Sequence, residues 1–136
     1  RKCFLLMSYR LFISHAWSYS DDYYRLCNLL NNKSYFSWFN YSVPKHNPFE
    51  TMEGLEENLR NQIRPVNAVI VLAGMYANYS YWIEFEVEFS KSINKPIIVM
   101  KPWGQERVPQ YLQDNATVIV GWNTDSIVEA IRNSSI

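Results

Sequence analysis

The sequence predicts an α/β domain: a flavodoxin-like three-layer sandwich around a five-stranded parallel sheet in the order 2-1-3-4-5. Three observations predict it. Short apolar runs rich in β-branched residues, such as 66–73 and 96–100, recur along the chain, as in strands covered on both faces. Segments with helical spacing alternate with them, and parallel strands need such crossovers. The chain has 136 residues, enough for five strand–helix units around one core.

Each element has a local reason. Residues 9–14 form the first strand. Ser20, Asp21 and Asp22 then cap a helix whose apolar face is Tyr23, Leu26, Cys27 and Leu30, spaced i, i+3, i+4, i+7. Residues 35–39 read as a second, shorter strand. A polar loop over 40–50, carrying two prolines, leads to a helix with Met52, Leu55, Leu59 and Ile63 on its inner face. The third strand is 66–73 and the fourth 97–100. Residues 101–109 are too proline-rich for a long helix, and a short helical turn is expected near 109–114. Residues 117–120 make the fifth strand, and Asn123 or Thr124 caps a last helix carrying Ile127, Val128 and Ile131. Residues 1–7 are expected to be an N-terminal extension and 8–136 a single domain. In such sheets ligands bind beyond the carboxyl ends of the strands, which directs attention to 14–18, 40–49, 74–79 and 101–104.

The segment between the third and fourth strands is ambiguous by itself. Residues 83–89 alternate apolar and acidic, which alone describes a half-buried strand. Its place between two buried strands demands a crossover helix, with Ser80 as N-cap and Asn94 as the stop. Wound as a helix, Trp82, Phe85, Phe89 and Ile93 share one side, with Glu84, Glu88 and Lys91 opposite. Glu86 falls within the apolar stripe. A carboxylate there needs a partner or a purpose, because unpaired burial costs several kcal/mol or forces protonation.

Composition excludes several functions. Lys+Arg 13 balance Asp+Glu 13, so no basic surplus points to nucleic acid. The longest apolar run is about eight residues, far below a membrane span. Cys3 and Cys27 make neither a metal-ligand spacing nor a disulfide framework, and reduced thiols in a cytoplasmic protein are expected. His15 and His46 lie far apart, and no metal site is expected. Gly54, Gly74, Gly104 and Gly121 are scattered, with no phosphate-cradling glycine loop and no nucleophile elbow. A phosphoacceptor receiver would need an Asp ending the third strand, where this chain has Ala73. The strand-end loops are aromatic instead, with Trp17, Trp38, Tyr41, Tyr76, Tyr79 and Trp103. Such rings either stack a nucleobase or simply close the end of a small sheet.

The stretch from Phe12 to His15 after a strand, followed by Trp82 and Glu86 in a W-x-x-x-E pattern after the third strand, resembles the TIR domain family. The likeness runs from about Ser8 to Asn133. It is closest to the bacterial TIR-like proteins of Thoeris anti-phage systems, with 9–17, 72–79 and 101–107 as further matching stretches. The resemblance implies an enzyme that cleaves the nicotinamide–ribose bond of NAD, giving ADP-ribose or a cyclic ADP-ribose-type signal. It implies Glu86 as the catalytic residue, and Ser14, His15, Trp17, Trp38, Asn40, Ser42, Gly74 and Trp82 as substrate-binding residues. NAD would be a substrate, with no prosthetic group. Expected partners are further copies or other TIR domains, and an effector that senses the product; neither nucleic acid nor a membrane is implied. The alternative is a non-catalytic TIR interaction module in signalling.

Overall fold

The computed structural model describes residues 7–14, 21–42, 51–104 and 106–136. Five strands, β1 (Ser8–Ser14), β2 (Ser37–Asn40), β3 (Ala68–Leu72), β4 (Ile97–Met100) and β5 (Val118–Val120), form one sheet in the order 2-1-3-4-5. All four pairings are parallel. The helices are α1 (Asp21–Asn31), α2 (Met52–Ile63), α3 (Tyr76–Ser92), α4 (Gln110–Asn115) and α5 (Thr124–Ser134). No described helix is long and apolar enough to cross a membrane.

Alternation along the strands builds a core on each face. Leu11, Ile13, Ile70, Leu72, Ile98 and Met100 point toward α1 and α5. Phe12, Val69, Val71, Ile97 and Val99 point toward α2, α3 and α4. β3 and β4 are buried at every position, which explains why they read as unbroken apolar runs.

Three expectations need correction. The second strand starts at Ser37 rather than residue 35, because Tyr35 has φ 58° and is 79% exposed, a left-handed turn that no strand continues through. Helical spacing puts Met52 on the inner face of α2, but it is 57% exposed in the first turn; Leu59 and Ile63 carry the burial. Thr51 caps that helix by accepting from the Gly54 N–H at 3.0 Å.

The third correction concerns α3. The helix begins at Tyr76, directly after a 3-10 turn at Ala73–Met75, and kinks at Tyr79 (φ −133°, ψ 30°) just before the expected cap Ser80. Its sheet-facing residues are Ile83, Glu86, Val87 and Ser90. Trp82, Phe85 and Phe89 are only half-buried; Phe85 and Phe89 face α2, where the Arg60 guanidinium lies 5.1 Å from the Phe85 ring and that of Arg64 5.4 Å from Phe89, and the Trp82 ring packs edge-on against Phe85. Smaller residues let the helix backbone lie close to the sheet, and the large rings fill the flank. Asn94 does stop the helix. It adopts φ 62°, its N–H donates to the Lys91 carbonyl and that of Lys95 to the Ser90 carbonyl, the paired bonds of a Schellman cap.

Candidate active site at the carboxyl edge

Ser14 is the last residue of β1 and pairs in register with Val71 of β3. It shares the side of Phe12, toward α3. Glu86 sits where the sheet-facing stripe of α3 meets the aromatic flank, and is 4% exposed. The fully buried Ser14 hydroxyl donates a short hydrogen bond to Glu86 Oε1. One turn further on, the Ser90 hydroxyl donates to the Glu86 backbone carbonyl at 2.6 Å.

Burial dominates the electrostatics of this carboxylate. Desolvation pushes its pKa up to about 8, and the Ser14 hydrogen bond, which favours the charged form, offsets part of that rise. The group therefore exchanges its proton near neutral pH. A carboxylate so poised suits charge stabilisation or proton transfer.

Trp82 lies one turn before Glu86 on the same helix. It is half-buried, with its ring edge-on to Tyr81 at 5.0 Å and to Phe85 at 5.9 Å. Gly74 stands in the turn after β3. A Cβ there would meet Asp22 Oδ2 at 3.1 Å and the Pro102 backbone at 3.8 Å, so this glycine lets the start of α1 and the turn after β4 approach the end of β3.

Asn40 and Ser42 form a separate cluster beyond β2. Asn40 Nδ2 donates to the Tyr23 hydroxyl at 2.7 Å, and Asn40 Oδ1 accepts from both the Ser42 N–H at 2.9 Å and the Ser42 hydroxyl. Helical spacing marks Tyr23 only as a core residue of α1. A buried tyrosine needs a partner for its hydroxyl, and that rule was the available signal for its part in fixing this loop. Trp38 stands apart from both clusters. Its register partner is Tyr9, toward the amino end of β1, and its indole N–H donates to Asn31 at 2.8 Å. His15 and Trp17 lie outside the described residues. Among the described residues, no group of three or more His, Cys, Asp or Glu is placed to hold a metal ion.

The family model described as "Thoeris protein ThsB, TIR-like domain" matches residues 12–107, a span that includes both Ser14 and Glu86. The chain belongs to this family. A conserved protein from Enterococcus faecalis V583 superposes on the TIR-like domain with a TM-score of 0.64 at 7% identity, covering 93% of this chain and 99% of the other. A prokaryotic SEFIR domain superposes with a TM-score of 0.53 at 18% identity, covering 93% and 98%. At such identities both likenesses concern the fold. No curated protein matches the sequence.

Proposed function

We propose that this TIR-like domain cleaves the nicotinamide–ribose bond of NAD, with Glu86 as its catalytic residue, in anti-phage defence signalling. One observation carries the reading: a dry carboxylate at the carboxyl edge of a parallel sheet, anchored by Ser14 and raised to a pKa of about 8. The chemistry asks little more of the protein. When the C1′–N bond breaks, its electron pair moves onto the pyridinium nitrogen, and nicotinamide departs as a neutral molecule needing no general acid. The ribosyl carbon left behind resembles an oxocarbenium ion. An ionised Glu86 offsets that developing charge and accepts hydrogen bonds from ribose hydroxyls. Bound NAD also brings its cationic ring near the carboxylate, which favours the ionised form.

Capture of the ribosyl carbon by water, whose proton passes to Glu86 or to solvent, gives ADP-ribose. Capture by an internal hydroxyl or ring nitrogen gives a cyclic signal for an effector to sense. The domain acts in the cytoplasm, assembled with further TIR domains. Concentrated protein incubated with NAD is expected to release nicotinamide, detected by mass spectrometry, and Glu86→Ala is expected to release none. Equal release by the variant would sink the role of Glu86.

A non-catalytic interaction module is the second reading. It is favoured by the open groove of ≈ 480 Å³ between α2 and α3, lined by Arg60, Tyr81, Glu84, Phe85, Glu88 and Phe89. Failure to release nicotinamide under any assembling condition would select it.

A further inference from the structure

The carboxyl edge carries a second cluster that the chemistry at Glu86 does not use. Beyond β4 the chain runs through Lys101, Pro102, Trp103 and Gly104; beyond β5 it runs through Gly121 and Trp122. These six residues line one groove of ≈ 380 Å³, toward the lower end of small-molecule sites and sized for one nucleoside rather than a whole dinucleotide.

The rings in it are held in place. The Trp122 indole N–H donates to the Lys101 carbonyl at 2.9 Å, and the Trp103 and Trp122 rings meet edge to face with centroids 5.5 Å apart. The Arg25 guanidinium lies 4.1 Å from the Trp103 centroid and pairs with Asp22 at 3.0 Å. Arg25 is not part of the groove wall, so it braces Trp103 while the groove reaches the rings from another side. Despite that bracing, Trp103 is 55% exposed. Among the described residues, a Cβ on Gly104 or Gly121 meets nothing within 4 Å, so none of them fills the space beside the rings.

A braced, half-exposed indole beside a lysine fits a flat ring joined to a negatively charged group. We propose that this groove is a nucleobase subsite: an adenine ring stacks on Trp103, and Lys101 meets the attached phosphate. Stacking of a base on an aromatic side chain needs no particular hydrogen-bond pattern. The choice of adenine rests on the NAD reading of Glu86. Ser14 on β1 and Lys101 after β4 are two strand spacings apart, roughly 10 Å along the sheet; Ser14 faces α3 and Trp122 packs on the side of α1 and α5, so a dinucleotide joining the two would cross the carboxyl edge.

The test is titration of the intact protein with adenosine monophosphate, followed by calorimetry and by the indole N–H resonances of Trp103 and Trp122. Gly121→Leu fills the groove at a position with free space around it, and Trp103→Ala removes the platform; thermal melts verify that both fold. The unmodified protein is expected to bind the nucleotide, and each groove variant about tenfold or more weakly. Absence of binding at millimolar nucleotide, or equal binding by the folded Gly121→Leu variant, overturns the subsite. In NAD cleavage, Gly121→Leu is expected to raise KM with kcat retained, and an unchanged KM overturns it as well. If the unmodified protein cleaves no NAD, the role of Glu86 falls, while the nucleotide titration still decides the subsite.

Discussion

The two sides of α3 present the same residue type in opposite settings. On the outer side, Glu84 accepts a hydrogen bond from Tyr76 and Glu88 from Tyr111, and the two tyrosine rings stack 5.9 Å apart. There the phenols are the perturbed groups. The hydrogen bond to Glu84 pushes Tyr76 up to about 12, while desolvation and then Glu88 raise Tyr111. On the inner side, Glu86 is buried against the sheet with Ser14, and the carboxyl itself is raised to about 8. Three glutamates at alternate positions thus divide between a solvated face and a dry one. Environment, not residue type, singles out the one fit for chemistry.

Replacing the inner carboxylate should have the largest effect. Glu86→Gln keeps an acceptor for Ser14 but removes the charge. Nicotinamide release is expected to fall about 10²–10³-fold or more, the scale of losing a charge-stabilising group. Stability should move the other way. Because the folded-state pKa is raised from 4.5 to about 8, the folded protein holds this proton more tightly than the unfolded chain does across that interval. The Glu86 contribution is therefore fully present below the lower value and is lost as pH rises through the higher one. Glu86→Gln cannot titrate. Thermal melts should show its stability gaining on the unmodified protein as pH increases, and a constant difference would contradict the burial of this charge.

Ser14→Ala comes next. It removes the hydrogen bond that lowers the Glu86 pKa, so the pH midpoint of kcat/KM should move upward by about one unit, with a loss of about tenfold near neutral pH. An unmoved midpoint would detach Ser14 from the titration of Glu86. The smallest effect belongs to the outer pair. The double variant Glu84→Gln, Glu88→Gln should leave NAD cleavage within about twofold and stability within about 1 kcal/mol, as for exposed polar contacts. A loss comparable with that of Glu86→Gln would erase the distinction between the two faces.

The same helix marks how far sequence reasoning reaches. Strand alternation at 83–89 was overruled by topology, since β3 and β4 are parallel neighbours that require a crossover, and α3 is that crossover. Glu86 was visible because a charge interrupts a run of apolar side chains. The direction of the helix was harder to read. Large rings dominate any helical wheel, yet Phe85 and Phe89 fill the flank beside α2 while Ile83, Val87 and Ser90 approach the sheet. The contact between Ser14 and Glu86 joins residues 72 positions apart, and no spacing rule encodes such a pair; the family resemblance suggested both ends but not their bond. Asn40 and Ser42 were expected to face a ligand, whereas their polar atoms already engage each other and Tyr23. Trp38 was expected beside them, and the left-handed turn at Tyr35 starts β2 two residues late, with Trp38 opposite Tyr9.

The central claim is that ionised Glu86 drives cleavage of NAD, and the most direct measurement is kcat/KM for nicotinamide release as a function of pH. That profile reports ionisations of the free enzyme. The expected result is a rise with a midpoint of about 8 that is absent from Glu86→Gln, while kcat, measured with the cationic nicotinamide ring bound, rises at lower pH. A profile flat from about pH 6 to about pH 9, or one that Glu86→Gln leaves intact, would contradict it.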